Sequence, residues 1–209
     1  MVFAIVTAFV TAYLLGNLNG SVFISALMEK DDVRKHGSGN AGLTNFFRNY
    51  GGWDSLLVIL VDVLKSAVAC FAAGYILASF GYYRQGLMLG ALGVTLGHDF
   101  PALLGFRGGK GILCGATIVV ILDWRVAVLA AVVFFVAFAI TRYVSLGSVL
   151  AAITVAVGFL VFQREDPLIL AGGLLLAALA LFMHRGNIAR LAQGKESKVH
   201  LIHRDLNKK

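Results

Sequence analysis

Seven apolar runs, separated by short polar connections, leave this chain little choice of fold: residues 2–28, 53–80, 86–104, 109–122, 126–143, 144–162 and 168–183. Inside a bilayer no water reaches the backbone N–H and C=O groups, so each run must satisfy them as a helix or within a closed barrel. A barrel requires alternation of lipid-facing and lumen-facing residues, and stretches such as 127–140 show none. Only 14% of residues are charged, against roughly 25% in soluble domains. The expected fold class is therefore an all-α integral membrane protein with seven transmembrane helices, forming a single domain over 1–209 with a charged tail at 194–209. The fourth run is the weakest. Its uninterrupted core, 112–122, is short against the roughly 20 residues of a span, so it is expected to be a tilted, thin or half-buried span.

Loop cations give the orientation. With the N-terminus outside, fourteen Lys and Arg residues fall on inside loops and the tail, three (Arg84, Arg125 and Arg164) fall outside, and Lys65 lies within a span. The positive-inside bias then predicts an external N-terminus and a cytoplasmic C-terminus. It also accounts for the net charge of +7 without invoking nucleic acid as a partner. Residues 1–28 contain no Lys or Arg. A signal peptide needs a basic leading segment, so this stretch is expected to be retained as the first span. Asn19-Gly20-Ser21 matches a glycosylation sequon but sits inside that span. Cys70 and Cys114 lie in apolar runs without a paired spacing and are expected to be packing residues.

The polar residues gather in three clusters, all on the predicted cytoplasmic side. The first is Gly37-Ser38-Gly39-Asn40-Ala41-Gly42-Leu43-Thr44-Asn45, followed by Arg48. Its glycines permit positive φ and close approach of a ligand to the backbone. Ser38, Asn40, Thr44 and Asn45 supply neutral donors, and Arg48 supplies a planar fork suited to phosphate. The second runs from His98-Asp99-Phe100-Pro101 to Arg107-Gly108-Gly109-Lys110-Gly111. Glycines opening a helix expose N–H groups to an anion, although the spacing of a Walker loop is missing. His98 and Asp99 are expected about two turns inside the third span, where ionisable residues signal function. The third is His184-Arg185-Gly186-Asn187-Ile188-Ala189-Arg190, with Glu196 following in the tail.

Smaller signals join these. Asp62 and Lys65 stand three residues apart on one helix face and can form an internal ion pair. Ser145 sits between Arg142 and Gly147 at the turn between the fifth and sixth runs. His200 and Asp205 reproduce a His-x-x-x-x-Asp acyltransferase spacing, but they lie in a charged tail without a downstream phosphate-binding block, and the match is read as chance.

Taken together, these motifs resemble the PlsY family of membrane acyltransferases. The resemblance rests on Gly37 to Asn45, Asp62 with Lys65, Gly97-His98-Asp99-Phe100-Pro101 through Gly111, Tyr143 to Gly147, and His184 to Leu191 with Glu196. It spans nearly the whole chain. Leu43, Ser66 and Arg107 depart from it, standing where a small residue, Gly and Lys are common.

The resemblance implies transfer of an acyl chain from acyl phosphate to sn-glycerol 3-phosphate, forming 1-acylglycerol 3-phosphate (lysophosphatidic acid) and inorganic phosphate. It implies a multi-pass protein of the cell inner membrane, in contact with membrane lipids, with its active site facing the cytoplasm. Acyl phosphate is already activated, so no cofactor, metal, coenzyme A or acyl carrier protein is expected. Ser38, Ser145, His184 and Asn187 are the expected catalytic residues. Gly39, Asn40, Thr44, Asn45, Arg48, Lys65, His98, Arg107, Gly108, Gly109, Lys110, Arg190 and Glu196 are expected to bind substrate phosphates. A transporter of a small organic phosphate is the alternative reading of the same cations. The one-sided motifs and the lack of a duplicated half weigh against it.

Overall fold

The computed structural model describes residues 1–199, so His200 and Asp205 lie outside the described residues. Ten α-helices follow in order: α1 (Val2–Gly16), α2 (Gly20–Met28), α3 (Leu43–Asn49), α4 (Asp54–Ala78), α5 (Tyr83–Asp99), α6 (Ile112–Leu122), α7 (Trp124–Thr141), α8 (Val144–Phe162), α9 (Pro167–Met183) and α10 (Arg185–Ala192). No strand occurs among the described residues.

Every one of the seven apolar runs is helical, but they are not equivalent. Four segments are long and apolar enough to cross a membrane singly: α4, α5 continued to Leu104, α7 and α8. Two more qualify only as bent pairs, α1 with α2 at 41° and α9 with α10 at 55°. The eleven residues of α6 rise only about 16 Å, well short of the ~30 Å hydrocarbon thickness. The protein is thus a multi-pass integral membrane protein, with four to six full-length spans and one short apolar helix among the described residues.

Local chemistry explains the breaks. The first run bends because Asn19 leaves the helix in an extended conformation, and its side chain accepts from the Val22 N–H to cap α2. Asp123 caps α7 in the same way, and Asp166 caps α9 ahead of Pro167. Helix α5 ends at Asp99, not some two turns further on, because Pro101 disfavours helical geometry in Phe100. His98 and Asp99 are therefore the last residues of their helix. The glycine-rich stretch 107–111 is a loop, not a helix start. Gly111 takes a left-handed φ of 66° and α6 begins only at Ile112.

Small residues set the packing around α5, as expected where dispersion and not water expulsion drives helix association. A Cβ on Gly90 would stand 2.5 Å from the Ala69 carbonyl oxygen of α4, and one on Gly97 would stand 2.9 Å from the Gly16 Cα of α1. Both helices therefore press backbone to backbone against α5. Val94, Ile118, Val126, Phe159 and Ile169 fill the common core.

Candidate active site

The site begins with the segment between α2 and α3. Asp32 accepts from the Arg34 N–H and starts a 3-10 turn over Val33–Lys35. From α3, the buried Asn45 side chain donates to the carbonyls of Val33 and His36 and accepts from the Ser38 N–H, all at 3.0 Å. Asn45 thus shapes the Gly37-Ser38-Gly39 turn, where both glycines have positive φ. The Ser38 side chain is left exposed above it.

Helices α4 and α5 supply a buried polar floor. Lys65 Nζ lies 2.8 Å from Asp62 Oδ1 and 2.9 Å from His98 Nδ1, and it donates to the Leu18 carbonyl at 2.7 Å. A charged ammonium donating to Nδ1 leaves the imidazole proton on Nε2. Asp62 also accepts from the Gly20 N–H at 3.1 Å, so the ion pair ties α4 to the break in the first run. Asp62, His98 and Cys114 offer three ligand atoms within 4.8 Å of one another. The Lys65 ammonium already neutralises Asp62, so this trio is a poor fit for a metal cation.

The glycine-rich loop rests on that floor. Gly109 N–H donates to the His98 carbonyl at 3.1 Å. A Cβ on Gly109 would overlap the His98 ring and stand 2.8 Å from the Ala41 carbonyl oxygen, so only glycine lets the first and second clusters meet. Asn19 donates to the same carbonyl at 3.0 Å. Arg34 adds a further tie, donating to the Leu104 carbonyl at 2.9 Å and to the Arg107 carbonyl at 3.4 Å.

The loop delivers Lys110 to a hydrogen-bonded cluster drawn from four parts of the chain. Lys110 Nζ donates to Asn187 Oδ1 of α10. Asn187 Nδ2 donates to Glu196 Oε1 at 2.9 Å, Ser145 Oγ of α8 donates to the same oxygen at 3.0 Å, and Arg190 Nε donates to Glu196 Oε2 at 2.8 Å. The tail is held at two further points. Arg48 donates to the Ser197 carbonyl at 3.3 Å, and the Val199 N–H donates to the Arg142 carbonyl at 3.0 Å.

Electrostatically, three cations (Arg48, Lys110 and Arg190) face one carboxylate. Burial lowers the Lys110 pKa, the neighbouring Arg190 and Arg48 cations lower it further, and Glu196 only partly opposes them. Burial raises the Glu196 pKa, but the hydrogen bonds from Asn187, Ser145 and Arg190 outweigh it and hold the carboxyl below its usual range. An excess of positive charge with oriented donors is the arrangement a phosphate dianion requires.

Of the expected site residues, Lys110, Ser145, Asn187, Arg190 and Glu196 form one bonded unit, with Arg48 at its edge. Lys65 and His98 belong to the floor, Gly109 rests on it, and Gly108 packs its backbone on the His98 and Asp99 carbonyls. Gly39, Asn40 and Thr44 lie in or beside the Asn45-ordered turn, and Asn45 itself acts on the backbone. Arg107 is exposed, and its backbone, not its guanidinium, makes the bond to Arg34. His184 is a buried corner residue between α9 and α10. Its Nδ1 bonds the Ala180 carbonyl at 2.8 Å, which leaves Nε2 as the free ring nitrogen. Sequence reasoning passed over Arg34 and Asn19. The polar interruption Asn17-Leu18-Asn19 inside an apolar run was the available sign of the second.

Comparison with known proteins supplies the remaining observations. The family described as "Glycerol-3-phosphate acyltransferase" matches residues 6–194. A protein of that name from Finegoldia magna is 36% identical over 91% of this chain and 93% of its own length. One from Thermoanaerobacter pseudethanolicus is 35% identical over 94% and 96%. The crystal structure of PlsY (YgiH), an integral membrane glycerol 3-phosphate acyltransferase, in its glycerol 3-phosphate form superposes with a TM-score of 0.83. It shares 33% identity and covers 94% of this chain and 96% of that one. Its lysophosphatidic acid form gives a TM-score of 0.82 at 32% identity, covering 94% and 95%.

Proposed function

The chain belongs to the PlsY family of glycerol-3-phosphate acyltransferases, and we propose that it transfers an acyl chain from acyl phosphate to sn-glycerol 3-phosphate. The products are 1-acylglycerol 3-phosphate and inorganic phosphate. The observation that carries this reading is the union of Lys110, Ser145, Asn187, Arg190 and Glu196 in one cluster that holds more cations than anions.

Both substrates carry phosphate, so the site must hold two anions close together. Arg48, Lys110 and Arg190 provide the counter-charge, and the backbone of the Gly37–Gly39 turn and of the 107–111 loop provides close approach. Alignment by two bound phosphates converts a bimolecular encounter into an oriented one. The glycerol hydroxyl oxygen then attacks the acyl carbonyl carbon, an ester C–O bond forms, and the bond from the acyl carbon to the bridging phosphate oxygen breaks. The leaving phosphate takes the electron pair, and a substrate phosphate oxygen takes the hydroxyl proton. Ser38, Ser145 and Asn187 orient the reacting groups. The donor is a mixed anhydride, so the step needs neither coenzyme A nor acyl carrier protein.

An apolar groove of about 360 Å³ between α4 and α6, lined by Val63, Ala67, Phe71, Ala116 and Thr117 among others, offers the acyl chain a bilayer-facing path. The seven-span arrangement with an external N-terminus and cytoplasmic C-terminus, in the inner membrane, belongs to this proposal. Its support is that the cation-rich loops and the clustered site residues occupy one end of the bundle. The test is incubation of purified protein with acyl phosphate and glycerol 3-phosphate, with acyl-coenzyme A in a parallel arm. Lysophosphatidate formed only from acyl phosphate is expected. Formation from acyl-coenzyme A instead, or no acylated product, overturns the reading.

A further inference from the structure

At the end of the bundle opposite the Glu196 cluster, the starts of α5 and α7 and the ends of α6 and α8 line an open recess of about 430 Å³. Its floor is built from two buried polar side chains, Asp123 and Gln163, each only 6% exposed. Gln163 Nε2 donates to Asp123 Oδ2 at 2.6 Å, while Gln163 Oε1 accepts from Arg84 Nη2 at 2.8 Å. The amide is therefore fixed from both sides and holds the Arg84 guanidinium in place.

The charges of this recess do not cancel. Arg125 forms a two-point pair with Asp123, Nε to Oδ1 at 3.0 Å and Nη2 to Oδ2 at 2.7 Å. Arg84 bonds only the neutral amide, and no ion pair to it occurs among the described residues. Among the lining residues two guanidinium groups face one carboxylate, a net single positive charge, and most of the five N–H donors of Arg84 make no bond within the described residues. Of the three cations that the positive-inside bias leaves on this side, two line the one recess.

The remaining walls are apolar. Val120, Ile121 and Leu122 close one side, and Trp124 stands 68% exposed at the rim, as aromatic residues do at the border between headgroups and hydrocarbon. Below the rim, Val120 and Val128 face outward, 59% and 53% exposed. The recess thus lies at the starts of α5 and α7, beside an outward-facing apolar surface. A phosphodiester carries one negative charge and matches the net charge of the site, and arginine forks suit its paired oxygens.

We propose that this recess binds the phosphodiester headgroup of an anionic phospholipid from the leaflet opposite the catalytic cluster, with Arg84 as the principal contact and the lipid chains lying along α6 and α7. The site stands apart from the acyl-transfer reading and does not depend on it.

The test uses the full-length protein in nanodiscs of phosphatidylcholine, with or without phosphatidylglycerol, or with inorganic phosphate added to the phosphatidylcholine discs. Thermal unfolding and native mass spectrometry of retained lipid are the readouts. Phosphatidylglycerol is expected to raise the unfolding temperature by several degrees and to be retained on the protein. Arg84→Gln is expected to lose more than half of that shift and of the retained lipid while acyltransferase activity stays within twofold, and Arg84→Lys is expected to keep an intermediate shift. Absence of the shift in the unmodified protein, an undiminished shift in both Arg84 variants, or an equal shift from inorganic phosphate alone overturns the assignment. Should Arg84→Gln fail to fold, loss of retained lipid in Arg84→Lys relative to the unmodified protein decides the matter.

Discussion

The Ser145 hydroxyl donates to the Glu196 carboxylate at 3.0 Å, joining residues 51 positions apart. The same carboxylate oxygen accepts from Asn187, whose own oxygen accepts from Lys110. Glu196 therefore organises donors from α8, α10 and the loop before α6 although it carries the wrong sign to bind phosphate itself.

Replacing Glu196 with Ala removes the shared acceptor of Ser145, Asn187 and Arg190. Leaving such groups unsatisfied typically forfeits about 1–3 kcal/mol, so kcat/KM for lysophosphatidate formation is expected to fall by roughly 10- to 100-fold. Unchanged kinetics would show that the donors do not need this anchor.

The same carboxylate should set the acid limit of tail attachment. Its folded pKa lies below the ordinary value of 4.5 because the hydrogen bonds from Asn187, Ser145 and Arg190 outweigh its burial. A depressed carboxyl pKa contributes stability above the unfolded value, and that contribution is lost as pH falls through the folded value. Exchange protection of the Val199 amide, corrected for intrinsic exchange, should thus hold from pH 8 down to pH 5 and decline below 4.5. In Glu196→Gln this decline should be absent.

Lys65→Met leaves Asp62 buried and unpaired. Breaking a buried pair from one side typically destabilises by about 3–5 kcal/mol, whereas removing both charges is often near neutral. Thermal unfolding should therefore show a large drop for Lys65→Met and substantial recovery in Lys65→Met with Asp62→Asn. An equal drop in the double variant would refute a structural ion pair.

Gly109→Ala forces a methyl group against the His98 ring and the Ala41 carbonyl. The loop is expected to lift and displace Lys110. The KM for glycerol 3-phosphate should rise at least tenfold while the unfolding temperature moves by only a few degrees. A large stability loss with unchanged KM would place the role of Gly109 in folding instead.

If a substrate phosphate accepts the hydroxyl proton, His184→Ala should retain activity to within about tenfold, less than the ~10²-fold loss typical of a general base. The Nδ1 bond to Ala180 gives His184 a fixed corner position between α9 and α10. A loss of 10³-fold or more in a folded variant would make His184 the base.

Hydrophobic runs and the residues that punctuate them determined much of this protein unaided. Runs of apolar residues oblige the backbone to bond itself, and Asp62 with Lys65 reads as a pair because helical spacing is local. The glycine and cation motifs also marked the clusters, since unusual polar density in an apolar chain is visible in one dimension. Tertiary structure alone decided what crosses those distances. The backbone-directed part played by Asn45, the tie from Arg34 to the Leu104 and Arg107 carbonyls, and the convergence of Lys110, Ser145 and Asn187 on Glu196 depend on where remote segments pack. Likewise, α5 stops at Asp99 and the first run bends at Asn19 because single backbone bonds and caps near Pro101 and Val22 outweigh the continuity of the apolar pattern. Hydropathy reports burial in lipid, but it carries no information on which neighbour will meet each polar group.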